Sequence, residues 1–389
     1  MSRTPFTFYE FFAGGGMARL GLGEGWECLF ANDIDTRKAD AYRANFGAGH
    51  LRQGDIFDLT TRDLPGAVDL AWASSPCQDV SLAGGRAGLA GGRSSAFMGF
   101  WRLIEALSAE GRAPRMIAIE NVTGLLTSNA GADFETICRG LADQGYRFGA
   151  LEVDAARFLP QSRRRVLIVG AREVPDGFPV GGPIGGGETP AVRRAREQLP
   201  DDLREAWVHW PALPPQGRNQ DLAALLEPDD QVAWFPEART RRLVSLMAPL
   251  HHAKLEEALA AGERRVGAVF RRVRQGRQCA EVRFDGLAGC LRTPRGGSSR
   301  QTLIVVEDGA VRARLISPRE AARLMGLPDD YALPRSKNAA LQVAGDGVVV
   351  PVVRWLADQV LEPILLAGRD PEFLSTHFQK MAAKTSVAA

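Results

Sequence analysis

The chain opens on a strand-like run, Thr7-Phe8-Tyr9-Glu10-Phe11-Phe12, a tight turn at Ala13-Gly14-Gly15-Gly16, and a helical start at Met17-Ala18-Arg19-Leu20-Gly21-Leu22. A second strand over 27–32 ends on Asp33, and a third such unit closes at Gly54-Asp55-Ile56. Strand, turn and helix repeating in this order leave few folds open, because each exposed sheet face must be covered by the helices between strands. The pattern predicts an α/β domain, Rossmann-like and doubly wound, with its ligand edge at the strands' C-terminal ends. Further strands are expected at 68–73, 115–119, 148–153 and 165–169. Asp133 is expected to cap a helix that buries Phe134, Ile137 and Leu141, with Gly145 as its stop.

A glycine loop after the first strand, followed about 20 residues on by an acid, is how such folds hold an adenosine. The glycines let backbone approach the ligand and the carboxylate takes the ribose hydroxyls. The dinucleotide pattern fails, however: a third glycine is required at position 19, where Arg19 stands. That moves the reading away from NAD, and from an NAD oxidoreductase with a redox thiol, toward a nucleoside cofactor without a pyrophosphate. Asp55 is placed to contact the adenine.

Ser74-Ser75-Pro76-Cys77-Gln78 follows the apolar run 68–73, so Cys77 falls where a strand ends and a loop begins. The loop, Gly84-Gly85-Arg86 through Gly91-Gly92-Arg93, is too glycine-rich for a stable helix. A thiol at a strand end under such a loop is a candidate nucleophile; taken alone, a cysteine is more often a small buried hydrophobe. Glu120 and Asn121 close the strand from 115, where a carboxylate and an amide need partners or a role. In Gln161-Ser162-Arg163-Arg164-Arg165, strand alternation puts Arg163 and Arg165 on one face.

At 389 residues, 45% hydrophobic, the chain is long enough for two domains. Its five cysteines (Cys28, Cys77, Cys138, Cys279, Cys290) are odd in number and lack Cys-x-x-Cys spacing, which predicts neither a disulfide framework nor a metal site. No secretory segment and no run of about 18 apolar residues is present, so no membrane partner is expected and the location is taken as cytoplasmic. Net charge is only +2, yet ten arginines between Arg264 and Arg300 face two acids, Glu281 and Asp285. Such clustering is the footprint of a surface that meets a phosphate backbone.

Strand–helix alternation stops near Arg172. Pro and Gly from Pro175 to Gly187 form a linker, and 173–315 reads as a smaller, irregular domain with little regular sheet, containing Trp207, Trp210 and Trp234. Ser317-Pro318-Arg319-Glu320 carries a capping box, and a helix is expected over 348–361 with Pro351 in its first turn. The first domain is thus 1–172, resumed over 316–368, with 369–389 a tail.

With Cys77, Glu120 and the arginines in place, the chain resembles the DNA cytosine-5 methyltransferases over nearly its whole length except the irregular middle. Phe12-Ala13-Gly14-Gly15-Gly16 is similar to the family's cofactor loop and Asn32-Asp33-Ile34 to its ribose acid. Pro76-Cys77-Gln78 resembles the nucleophile motif, Glu120-Asn121-Val122 the base-binding motif, and Gln161 to Arg165 the arginine motif. Arg319 to Pro328 is similar to the helix after the target-recognition domain. The resemblance implies S-adenosylmethionine as cofactor, leaving as S-adenosylhomocysteine, held by Phe12, Ala13, Gly14, Gly16, Asp33, Ile34, Asp55, Ile56, Pro76, Asp346 and Gly347. It implies duplex DNA as partner, met by Gln78, Arg93, Gln161, Arg271, Arg272, Arg274, Arg295 and Arg300. A monomer associated with the nucleoid is expected, with a cognate restriction system as a further partner the family allows. Met17 replaces the family's usual last glycine, and Asp346 and Gly347 stand where an Asn and a small residue are usual, from which weaker or pH-sensitive cofactor binding is expected.

The implied chemistry makes Cys77 the nucleophile at cytosine C6, Glu120 in its protonated form the donor to N3, Asn121 an orienting group, and Arg163 with Arg165 the clamp on O2 and Glu120. The base must leave the duplex first. Two rivals share the fold: a tRNA cytosine-5 methyltransferase, whose Cys-Phe-Thr element is missing here, and a catalytically silent DNA-binding regulator, which would not need an intact Cys77 and Glu120.

Overall fold

The computed structural model describes residues 4–75, 96–175, 188–212, 214–215, 217–218, 220–274, 276–292 and 300–368. The chain divides into two compact units, one of Met1–Val153, Arg164–Pro214 and Val350–Ala389, the other of Asp154–Arg163 and Pro215–Val349.

The first unit is built on a seven-stranded sheet: β1 (Phe6–Phe11), β2 (Trp26–Asp33), β3 (Leu51–Gln53), β4 (Leu70–Ala73), β5 (Met116–Val122), β6 (Arg147–Asp154) and β7 (Arg164–Ala171), in the order β3-β2-β1-β4-β5-β7-β6. Pairing is parallel from β3 to β5, and β7 runs antiparallel to β5. Every residue of β4 is buried, as expected for a strand covered on both faces. Helices α1 (Met17–Leu22), α2 (Thr36–Phe46), α3 (Ala96–Ala109) and α4 (Ala132–Asp143) follow successive strands. Phe11, Phe30, Phe97, Phe100 and Trp101 join strands to α3 in the core. Gly21 is required for packing: a Cβ there would meet Val353 Cβ at 2.4 Å, on the helix Val350–Leu356.

Local expectations fail in two places. Asp133 is not the cap of α4. Asn129 and Ala130 are left-handed and Gly131 (φ +96°) takes the N-cap, leaving Asp133 in the first turn, where it accepts from Asn129 Nδ2 at 2.9 Å and from the Ser128 hydroxyl. Arg163 does not share a strand face with Arg165. Its N–H donates to Asp154 Oδ1 (2.9 Å) and its carbonyl accepts from Ala155 (3.0 Å), so 154–163 closes on itself and β7 begins one residue later.

The middle region holds more sheet than expected. In the second unit β8 (Arg265–Arg274), β9 (Arg277–Arg283), β10 (Thr302–Glu307) and β11 (Ala310–Leu315) form an antiparallel sheet in the order β11-β10-β8-β9. One face buries Val269, Ala280, Val282, Ile304, Val306 and Ala313 against Leu243 and Leu255 from two helices and Met247 between them. The units also depart from the expected boundaries at 172 and 315. Trp207 and Trp210 lie in the first, Trp207 edge-on to Phe148 at 5.8 Å and Trp210 Nε1 donating to the Val169 carbonyl at 3.2 Å. Only Trp234 of the three belongs to the second. Residues 316–349 also fall in the second unit. The capping box at Ser317 and Glu320 is present. The final helix runs from Val350, with Pro351 in its first turn, through a π-helical stretch Ala357–Leu361 to Ala367. The linker over 176–187 and the tail lie outside the described residues. Among the described residues no helix is long and apolar enough to cross a membrane, and no three His, Cys, Asp or Glu side chains cluster as metal ligands.

Candidate active site

In the first unit the candidate residues gather at the C-terminal edge of the parallel strands. β1 is followed by Phe12, whose φ of +56° is a strained value for a side chain of that size. Ala13 N–H donates to the Asn32 carbonyl at 2.9 Å and Gly14 N–H to Asp33 Oδ2 at 2.8 Å. Gly14 and Gly16 are both left-handed. A Cβ on Gly14 would meet nothing within 4 Å, whereas one on Gly16 would strike the Phe46 ring at 2.3 Å. The first glycine therefore faces open space and the second seats the loop on α2.

Asp33 closes β2. Its Oδ1 accepts from Asp35 N–H at 2.8 Å, and burial raises its pKa against the pull of Lys38 and its two backbone donors. Asp35 caps α2 through the N–H groups of Arg37 and Lys38. Between these acids Ile34 is 66% exposed, an apolar side chain held out at the loop. Asp55 caps the next turn by accepting from Phe57 N–H at 3.0 Å. Ile56 is buried beside Gly99 of α3, and Phe57 is the apolar residue left exposed there. A carboxylate fixed beside a glycine loop, open space above Gly14 and an outward apolar side chain are what a nucleoside ligand requires.

One strand further on, Glu120 and Asn121 occupy the end of β5, opposite Leu167 and Val166. Arg165 Nε lies 2.9 Å from Glu120 Oε1, and both groups are largely buried. The contact is an ion pair without hydrogen-bond alignment, so among the described residues Oε1 accepts no hydrogen bond. Asn121 Nδ2 donates to Ser75 Oγ at 3.1 Å while its Oδ1 accepts from Val122 N–H at 2.8 Å. Trp72 Nε1 holds Ser74 Oγ at 2.8 Å. Ser75, two residues past the end of β4 and two before Cys77, is thus tied to the strand that carries Glu120. Pro76, Cys77, Gln78, Arg93 and Arg295 lie outside the described residues.

Other expected site residues sit in the second unit. Gln161 is wholly buried, with Nε2 donating to the Leu324 carbonyl (2.7 Å) and Oε1 accepting from Leu291 N–H (3.1 Å). Both ends of its amide, expected to meet nucleic acid, are held by internal partners. Arg163 is 3% exposed; it donates to the carbonyls of Leu291 (3.0 Å), Gly345 (3.1 Å) and Gly347 (2.8 Å). Its planar fork holds three peptide groups, two of them in the Gly345–Gly347 turn. Asp346 is exposed in that turn, at the end of the helix Lys337–Asp346. Arg271, Arg272 and Arg274 are exposed on β8, and Arg300 donates to Asn338 Oδ1.

Two residues escaped the sequence reading. Ser75 gave no signal, since its partner is 46 positions away. Glu10 did give one, an acid inside the apolar run of β1. It is buried, and its Oε1 accepts the Arg19 N–H at 3.3 Å in the uncapped first turn of α1.

The family model of C-5 cytosine-specific DNA methylases matches residues 6–362. The chain is 28% identical over 369 residues to the type II methyltransferase M.BsuFI of Bacillus subtilis, covering 93% of this chain and 74% of that protein. To M.NlaX of Neisseria lactamica it is 28% identical over 359 residues, 91% and 96% of the two chains. The crystal structure of S. pombe Dnmt2 methyltransferase superimposes with a TM-score of 0.56 at 17% identity, over 92% of this chain and 99% of that one, a likeness of fold.

Proposed function

The chain belongs to the C-5 cytosine-specific DNA methylase family and is a DNA cytosine-5 methyltransferase, and from that premise we propose that it methylates C5 through a covalent bond between Cys77 and C6 of a cytosine turned out of the duplex. The donor is S-adenosylmethionine, which supplies an electrophilic methyl group. Asp33 and the loop from Phe12 to Gly16 fit its ribose and backbone, and Ile34 and Phe57 offer apolar surface to its adenine.

C5 of cytosine is a weak nucleophile. Addition of the Cys77 thiolate to C6 loads electron density onto C5 and N3, and the Glu120 carboxyl is the group placed to meet the charge that N3 gains. Arg165, already beside Glu120, fixes the carboxyl in the orientation that reaches the ring. Asn121 holds the end of β4 and so limits where the Cys77 segment can start. Once C5 carries the methyl group, loss of its proton to a base expels the thiolate.

The observation that carries this reading is the Glu120–Arg165 pair at the strand edge, with Glu120 Oε1 buried beside the tethered end of β4. Duplex DNA carrying 5-fluorocytosine at the target should become covalently attached to the wild-type protein in the presence of S-adenosylmethionine, since fluorine cannot leave as a proton does. The Cys77→Ala protein should form no adduct. Equal attachment by both proteins would overturn the covalent step, and labelling of tRNA instead of duplex DNA would overturn the substrate.

A further inference from the structure

Strands β8 and β9 form an antiparallel ribbon in which Arg271 faces Ala280, Val273 faces Gln278 and Arg274 faces Arg277. Side chains opposite one another point to the same side. Val269, Ala280 and Val282 carry one side into the unit's core, and Arg271, Val273 and Gln278 continue that side beyond the core into solvent. Val273 is 66% exposed, one of the few large apolar residues so placed. Arg271 Nη2 donates to Gln278 Oε1 at 3.2 Å, which leaves Nε2 without a partner in that bond. The other side carries Arg272 and Arg274, which share the single carboxylate of Glu281 at 2.9 Å each. Arg277 has no carboxylate partner among the described residues. Like charges directly opposed, as Arg274 and Arg277 are, destabilise a ribbon, and an anion against this end would offset that repulsion.

We propose that the cross-strand pair Val273 and Gln278 reads one A·T base pair of the target duplex from the major groove. The inference rests on the reading that duplex DNA is the substrate. A two-stranded ribbon fits that groove, whose width is about 12 Å. A glutamine amide matches adenine with both of its atoms, Nε2 donating to N7 and the second lone pair of Oε1 accepting from N6. The valine methyls pack on the thymine 5-methyl of the same pair. Arg272, Arg274 and Arg277 reach phosphates on the groove walls, which fix position and carry no sequence information.

The test is bisulfite sequencing of DNA from cells expressing the wild type, Val273→Ala, Gln278→Ala or Arg277→Ala, followed by kinetics on the duplex so identified. The wild-type motif should contain one invariant A·T pair. Gln278→Ala should relax that position alone, by about tenfold or more. Uracil in place of that thymine should lower wild-type kcat/KM about fourfold, the worth of one buried methyl, and leave Val273→Ala indifferent. Arg277→Ala should weaken all sites equally. A motif without a fixed A·T pair, or Val273→Ala and Gln278→Ala proteins that keep the wild-type motif at every position, would overturn the inference and leave the methyltransferase reading intact. Absence of 5-methylcytosine with the wild type would overturn both.

Discussion

An ionised carboxylate inside the apolar run of β1 would lose its hydration and have few charges nearby to replace it. At Glu10 burial dominates and pushes the pKa up to about 8, against the Arg19 N–H, the Arg19 charge and the Tyr42 hydroxyl, with Asp33 adding to the rise. The protonated form is therefore the native form over most of the pH range. For an acid raised in the folded state, stability is highest below the unfolded value near 4.5 and falls as pH climbs through about 8. Between those limits the slope from this group approaches about 1.4 kcal/mol per pH unit. Urea unfolding of wild type and Glu10→Gln at pH 5, 6.5 and 8 should show the wild type losing ground to the variant step by step. Parallel pH profiles would mean that Glu10 titrates normally. The same residue caps the first turn of α1 from a neighbouring strand, so the glycine loop between β1 and α1 loses an anchor in any variant that cannot accept from Arg19.

Between elements, two side-chain ties do what local sequence cannot. Asn121 joins β5 to the end of β4 through Ser75, a bond wholly out of water. Asn121→Ala should cost about 1 kcal/mol or somewhat more, because the Ser75 hydroxyl is left buried without that donor. By loosening the segment that leads to Cys77 it should lower kcat more than it raises KM for DNA, measured in steady-state methyl transfer; a pure KM effect would refute the positioning role. The second tie is Arg314–Glu320, with both side chains at most 1% exposed. Arg314 Nη1 and Nη2 reach Glu320 at 2.7 and 2.6 Å, and the N–H groups of Ser317 and Glu227 reach it at 2.9 Å each. Four donors saturate this carboxylate. Arg314→Met removes two of them and strands a buried charge, for an expected loss of about 3–5 kcal/mol. Proteolysis of the second unit under native conditions should then accelerate, while the Arg314→Met, Glu320→Leu double variant recovers most of the loss apart from its capping box.

Across the whole molecule, legibility followed the range of the determining interaction. Ser317-Pro318-Arg319-Glu320 was readable because a capping box is closed within four residues, and Gly14 and Asp33 because a glycine turn and an acid at a strand end are fixed by nearby backbone. Trp207 and Trp210 were assigned to the wrong unit because their partners, Phe148 and Val169, are remote in sequence. Arg163 looked like a strand residue until its acceptors, up to 184 positions away, took up its fork. The β8–β11 sheet was hidden by its arginines, which interrupt the apolar alternation that marks a strand. Those arginines also set the long-range field. Net charge is +2, so attraction to DNA must come from where the charge sits, and at the ribbon Glu281 offsets part of it. Glu281→Gln releases both Arg272 and Arg274 from that carboxylate. Affinity for a non-specific duplex should rise at low salt, and the slope of log K against log salt should steepen by about one, the change expected for one further phosphate neutralised. Arg277→Ala should flatten it by about one. Fluorescence anisotropy from 50 to 200 mM salt reads both slopes. If Glu281→Gln leaves the slope where it was, the ribbon is not the surface that displaces counterions from the duplex.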